Sequence, residues 1–184
     1  MKTEKVTNTF ASAELFDDPD ANFTLWEHQV TDADADGRYD LATTTTTTGN
    51  AYIVLPGVSI PKDPTVDVKN LEGNAYLYIE VTSSNLPTGL SYEIGTDWTA
   101  LDAAKYPNVY VYIGEKANAA KVIEATESAK ETFTVNILKD NQVVVADNYS
   151  GTADNISLAF QAYMVQATGN GADAAAAWAN TYGN

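Results

Sequence analysis

Apolar and polar side chains alternate along much of this chain with the period of a half-buried strand. In the segment from Ala75 to Val81, Ala75, Leu77, Ile79 and Val81 share one face, while Tyr76, Tyr78 and Glu80 share the other. Val109 to Ile113 repeats the design, with aliphatics on one side and Tyr110 and Tyr112 on the other. Phe133, Val135 and Ile137 alternate with Thr132, Thr134 and Asn136, and Leu158, Phe160, Ala162 and Met164 alternate with Ala159, Gln161, Tyr163 and Val165. Such runs predict antiparallel sheets with one wet face. Turn signals separate them at short intervals: Pro56-Gly57, Pro61 to Pro64, Glu72-Gly73-Asn74, Pro87-Thr88-Gly89, Lys139-Asp140-Asn141 and Ser150-Gly151. Many short strands with frequent turns predict a jelly-roll-like antiparallel β-sandwich.

Two segments depart from this period and predict short peripheral helices. Lys116 to Lys130 is rich in Ala, Glu and Lys, with Val122 and Ile123 as its few large apolar residues. Gly171 to Tyr182 contains Ala174 to Ala177 followed by Trp178, and Asp173 sits near its start, where the helix dipole favours an acid. Trp178 is expected to dock this C-terminal helix on the body. The six threonines Thr43 to Thr48 read as an exposed, β-branched strand. The organisation expected is a single β-sandwich domain over residues 12–184, preceded by a distinct segment at 1–11. In that segment Lys2 to Ala11 favours strand but carries only Val6 and Phe10 as sizeable apolar residues. It cannot order itself alone, and would pair with this domain's own sheet or with the open sheet edge of a neighbouring subunit.

Composition narrows the function. The chain has 184 residues, enough for one sizeable core. Its 25 acidic residues outnumber 10 basic ones, for a net charge of -15. That balance disfavours nucleic acid and anionic membranes and makes cation binding chemically reasonable. There are no cysteines, which removes disulfides, thiolate metal sites and Cys nucleophiles. No stretch approaches the roughly 18 apolar residues of a membrane span. Met1-Lys2-Thr3-Glu4 leads straight into polar sequence, so no leader peptide is expected here, and a secreted protein would be represented in a mature form.

Catalytic constellations are sparse. His28 is the only histidine, so the two-histidine HExxH zinc motif cannot form, and no Ser lies in a GxSxG elbow. No spacing singles out a glycosidase-type carboxylate pair. No catalytic residue is therefore assigned. Leu86-Pro87-Thr88-Gly89 lies mid-chain with no hydrophobic tail and reads as a turn rather than a sorting signal. The sequons at Asn22, Asn148 and Asn155 match what chance supplies.

The sharpest local signal is Asp32-Ala33-Asp34-Ala35-Asp36-Gly37-Arg38-Tyr39-Asp40. A DxDxDG run places three carboxylates around one turn, with Gly at the tight sixth position of a Ca²⁺ loop. Asp40 falls at position nine, but Thr43 stands where the bidentate Glu would be, and no helices flank the loop. Two readings follow: a weak Ca²⁺ site of extracellular type built from Asp32, Asp34, Asp36 and Asp40, or an acidic surface turn. No cofactor is otherwise required.

Three stretches together resemble the TasA/camelysin family of bacterial secreted proteins. Glu4 to Phe10 (EKVTNTF) resembles the segment after the family's cleavage region. Pro56 to Val66 (PGVSIPKDPTV), followed by Asn74 to Val81, resembles its central core. Ala162 to Ala167, then Ala174 to Ala179 around Trp178, resembles its C-terminal ending. The matches run in order over nearly the whole chain, although residues 83–154 carry no family signature. The resemblance implies a β-sandwich that assembles into extracellular fibres of a biofilm matrix. The N-terminal segment, here with Val6, Asn8 and Phe10, would be donated as a strand to the next subunit. The metalloprotease activity described for camelysins is not expected, for want of a His-based zinc site. A second expectation is a Ca²⁺-dependent module that binds polysaccharide or cell wall through exposed Tyr76, Tyr78, Tyr110 and Tyr112. The Pro-rich central motif itself reads as architecture: a corner where the chain passes between sheets.

Overall fold

Strand-forming runs divided by turns fold into three sheets in the computed structural model, which describes residues 5–6, 20, 22–114, 120, 122–150 and 156–183. The strands are β1 (Lys5–Val6), β2 (Asn22–Thr31), β3 (Asp40–Thr46), β4 (Ile60–Pro61), β5 (Thr65–Leu71) and β6 (Ala75–Ser84). They continue with β7 (Leu90–Ser91), β8 (Trp98–Asp102), β9 (Tyr106–Tyr112), β10 (Glu131–Asn136), β11 (Gln142–Val145) and β12 (Ser157–Gln166). A helix, α1 (Ala174–Tyr182), ends the fold. One sheet runs β1-β12-β6-β9-β8, a second β10-β5-β2-β3, and a small third β4-β11-β7. Apart from the parallel β1–β12 contact, the strand pairs are antiparallel. This is the all-β sandwich that the patterning predicts.

The alternation sets which residues meet. Leu77, Ile79 and Val81 of β6, and Leu158, Phe160, Ala162 and Met164 of β12, enter the main core with Phe23, Leu25, Val66 and Val68 from the facing sheet. The two long strands lie in continuous register from Ser157 opposite Ser84 to Gln166 opposite Ala75.

The second face of the five-stranded sheet is not wet. Tyr76, Tyr78, Val109, Val111, Tyr163 and Val165 form a second core with Ala174, Ala177 and Trp178 of α1. Tyr78 is fully buried, and its hydroxyl donates to the Ala174 carbonyl at 2.8 Å. Trp178 packs against Tyr78 and Tyr163 with ring centroids 5.0 Å away in each case. The helix starts where Asp173 caps it, accepting from the Ala176 amide at 2.9 Å. Tyr76 and Tyr78 are thus covered. Tyr110 and Tyr112 face the other way and are partly buried against the main core, where Tyr112 stacks on Phe133. The exposed tyrosine surface expected from the alternation does not exist in this form.

The helix expected over Lys116 to Lys130 is also absent from its described part. Ile123 instead forms an antiparallel bridge with Ala75, closed by two backbone hydrogen bonds, and Thr126 and Ala129 close a turn. Ile123 and Ala125 are buried in the main core. Burying them against the sheet outweighs the modest helix propensity of this Ala-rich, weakly amphipathic stretch.

The Pro-rich motif behaves as a corner. Pro56-Gly57 turns the chain, with Val58 N–H donating to Leu55 O at 3.2 Å. Ile60–Pro61 pairs with β11 in the small sheet, and Thr65 onwards enters the four-stranded sheet as β5. Lys62, Asp63 and Pro64 are the transit between them.

Candidate functional site

Three places bear on function: the N-terminal strand contact, the acidic loop, and a buried polar cluster at the corner.

At the first, Lys5 and Val6 lie beside Phe160 and Gln161 of β12, parallel to it. β12 has ten residues, of which among the described residues only these two have a strand partner on that side. Of the expected donor residues, Val6 therefore falls in a sheet contact. Asn8 and Phe10 lie outside the described residues.

The acidic loop follows β2. The carboxylates of Asp32, Asp34 and Asp36 offer oxygens within 4.8 Å of one another. Asp32 folds the loop over itself by accepting from the amides of Asp36 at 3.0 Å and Gly37 at 2.9 Å. Gly37 has φ of 80°, and a Cβ there would collide with Leu55, so glycine is required. Asp36 accepts from the Arg38 amide at 2.8 Å, and that bond, with the Arg38 guanidinium, holds its carboxyl below the usual range. Asp40 does not join the three. It opens β3 opposite Thr31 and is exposed. The loop offers a hard cation three carboxylates, fewer ligands than the four expected from the spacing.

The third place was not anticipated as a cluster. On β2, Phe23 and Leu25 point inward, and Glu27 occupies the next inward position, 4% exposed. Lys62, wholly buried, donates to Glu27 Oε2 at 2.7 Å and lies over the Phe160 ring. Burial pushes the Lys62 amine below its ordinary pKa, against the opposing pull of Glu27 and Asp63. The other oxygen, Glu27 Oε1, accepts from Asn50 Nδ2 at 2.9 Å. Asn50 also donates to His28 O at 2.8 Å and accepts from Val30 N–H at 3.1 Å. Those are the backbone groups flanking the register shift in the β2–β3 pairing, so Asn50 satisfies what the ladder cannot. Asp63, also buried, takes the His28 amide at 2.9 Å and lies 2.6 Å from its Nδ1. Tyr52 closes the group, its hydroxyl donating to Pro61 O at 3.1 Å and its pKa raised by burial and by Glu27.

His28 is thus a strand histidine with a carboxylate partner. The signal that could have exposed the cluster is local: a Glu at an inward-facing strand position, and a Lys-Asp pair held between two prolines. Comparison of the chain with protein-family models, curated proteins and solved structures gave no match.

Proposed function

We propose that this protein is a structural subunit of an extracellular fibre of biofilm-matrix type, polymerising head to tail by N-terminal strand donation. The observation that carries this reading is the side of β12 on which Lys5 and Val6 pair. A ten-residue, well-buried strand has on that side, among the described residues, a two-residue partner from a segment too poor in apolar residues to fold on its own. The same parallel contact made with a neighbour's β12 exchanges one strand pairing for an equivalent one. Val6 and Phe10 would then enter the acceptor's apolar surface while the backbone supplies the hydrogen bonds. Head-to-tail contacts of this kind do not close, and so build filaments. The resemblance of EKVTNTF and PGVSIPKDPTV to the TasA/camelysin family supports the reading, as do the shortage of catalytic motifs and the solubilising charge of -15. No helix among the described residues is long and apolar enough to cross a membrane.

Deleting residues 1–11 is expected to leave a folded monomer that forms no filaments under negative-stain microscopy. Filaments from the deleted chain would refute strand donation.

A second reading, a secreted Ca²⁺-dependent module for cell wall or polysaccharide, is favoured by the convergence of Asp32, Asp34 and Asp36. With the tyrosines covered, it loses its expected aromatic surface. Calorimetric titration with Ca²⁺ tests it: heat abolished in Asp34→Asn supports a site, and absence of heat and of any shift in melting temperature removes it.

A further inference from the structure

The corner cluster holds an amine, an amide and a carboxyl group in an arrangement that serves more than packing. We infer that Lys62 and Asn50 form an intramolecular isopeptide bond, with Glu27 as the proton carrier.

The two reacting side chains bind the two oxygens of one carboxylate: Lys62 Nζ at Oε2, 2.7 Å away, and Asn50 Nδ2 at Oε1, 2.9 Å away. The nucleophile and the leaving nitrogen therefore sit side by side on the group that must move a proton from one to the other. The amide is also held in orientation. Val30 N–H donates to Asn50 Oδ1 at 3.1 Å, which polarises the carbonyl and faces the oxygen on which negative charge develops. His28 O fixes the amide nitrogen from the other side at 2.8 Å. Lys62 and Glu27 are buried. Burial favours the neutral amine, the form that attacks, and keeps out the water that would compete as nucleophile.

The step balances without an oxidant or a cofactor. Glu27 takes a proton from the Lys62 ammonium. The Nζ lone pair attacks Asn50 Cγ, and the Oδ1 anion forms against Val30 N–H. Glu27 returns that proton to Nδ2 and takes up the second proton that Nζ sheds as it becomes an amide nitrogen, the Oδ1 anion re-forms the carbonyl, the Cγ–Nδ2 bond breaks, and ammonia leaves. The product is a secondary amide that fastens the segment after β3 to the Pro-rich corner and closes the loop between them. A covalent loop closure removes freedom from the unfolded chain, as a disulfide would, in a sequence that has no cysteine. The bond does not depend on polymerisation.

Mass spectrometry of the full-length purified chain decides the matter. The expected result is an intact mass lower than the sequence mass by about 17 Da, with a branched proteolytic peptide joining the segments around Asn50 and Lys62. Glu27→Gln and Lys62→Arg, the latter keeping the positive charge, should each restore the full mass. A folded wild-type chain at its sequence mass overturns the inference. So does a gain of about 1 Da at Asn50, which would show water, rather than Lys62, to be the nucleophile. Loss of ammonia mapped to a different pair of residues would also overturn it.

Discussion

Glu27 occupies a place where the strand's alternation asks for an aliphatic side chain, and Lys62 is the reason it can stay there. Two charges taken out of water gain little net stability over a well-packed apolar pair, but either one alone is expensive. With Lys62 unlinked, in an Asn50→Ala background, Lys62→Met should therefore cost about 3–5 kcal/mol, and the double change Glu27→Met with Lys62→Met should recover most of that loss. Denaturant titration of the three proteins measures both. At the other end of the chain, Asp173 contributes through one hydrogen bond to the Ala176 amide. Asp173→Ala should lower stability by about 1 kcal/mol, seen as a reduced urea midpoint with an unchanged slope.

Among the elements, α1 has an effect out of proportion to its nine residues. Its three buried side chains, Ala174, Ala177 and Trp178, convert the outer face of the five-stranded sheet into a second core. Trp178→Ala removes the ring shared by Tyr78, Tyr106, Tyr163 and Tyr182. The expected loss is about 3–5 kcal/mol, with tyrosine fluorescence and near-ultraviolet circular dichroism changing before the far-ultraviolet strand signal does. The segment at 122–130 shows the opposite relation between sequence and element. Its Ala, Glu and Lys content suits a helix, but Ile123 and Ala125 gain more by completing the main core.

Across the whole molecule, burial of tyrosines sets an alkaline limit. Tyr52, Tyr78 and Tyr163 all have pKa values raised above the ordinary 10.0, in each case chiefly by burial. Below that value the phenols are neutral in both folded and unfolded chains, and their contribution is fully present. As pH rises beyond it, the unfolded phenols ionise while the folded ones keep their protons, so unfolding releases protons and stability falls. Lys62, where unlinked, acts in the opposite sense only up to its ordinary value of 10.5, and is one group against five, since burial raises Tyr92 and Tyr182 as well. Urea midpoints should thus drop between about pH 9.5 and 11.5. The drop should be shallower in Tyr78→Phe, which loses one of these phenols.

The sequence by itself determined the class of fold and most of its faces. Period-two runs in β6, β10 and β12 state which residues point together, because successive strand side chains must point to opposite sides. It also determined the capped C-terminal helix, the exposed threonine strand β3, and the corner at Pro56 to Pro64, where proline and glycine restrict the backbone locally. Tertiary structure alone decided what covers each face. Alternation separates Tyr76 and Tyr78 from Leu77 and Ile79, but only the docking of α1, far along the chain, buries the tyrosines. The corner cluster left only partial local traces, a Glu at an inward strand position and a Lys-Asp pair between two prolines. Glu27, Asn50 and Lys62 are separated in sequence, and only the tertiary structure decided that they meet. The acidic loop was legible in three of its four aspartates, since a turn is a local object. Asp40 was claimed instead by the strand that begins there, whose pairing with β2 fixes its position from outside the loop.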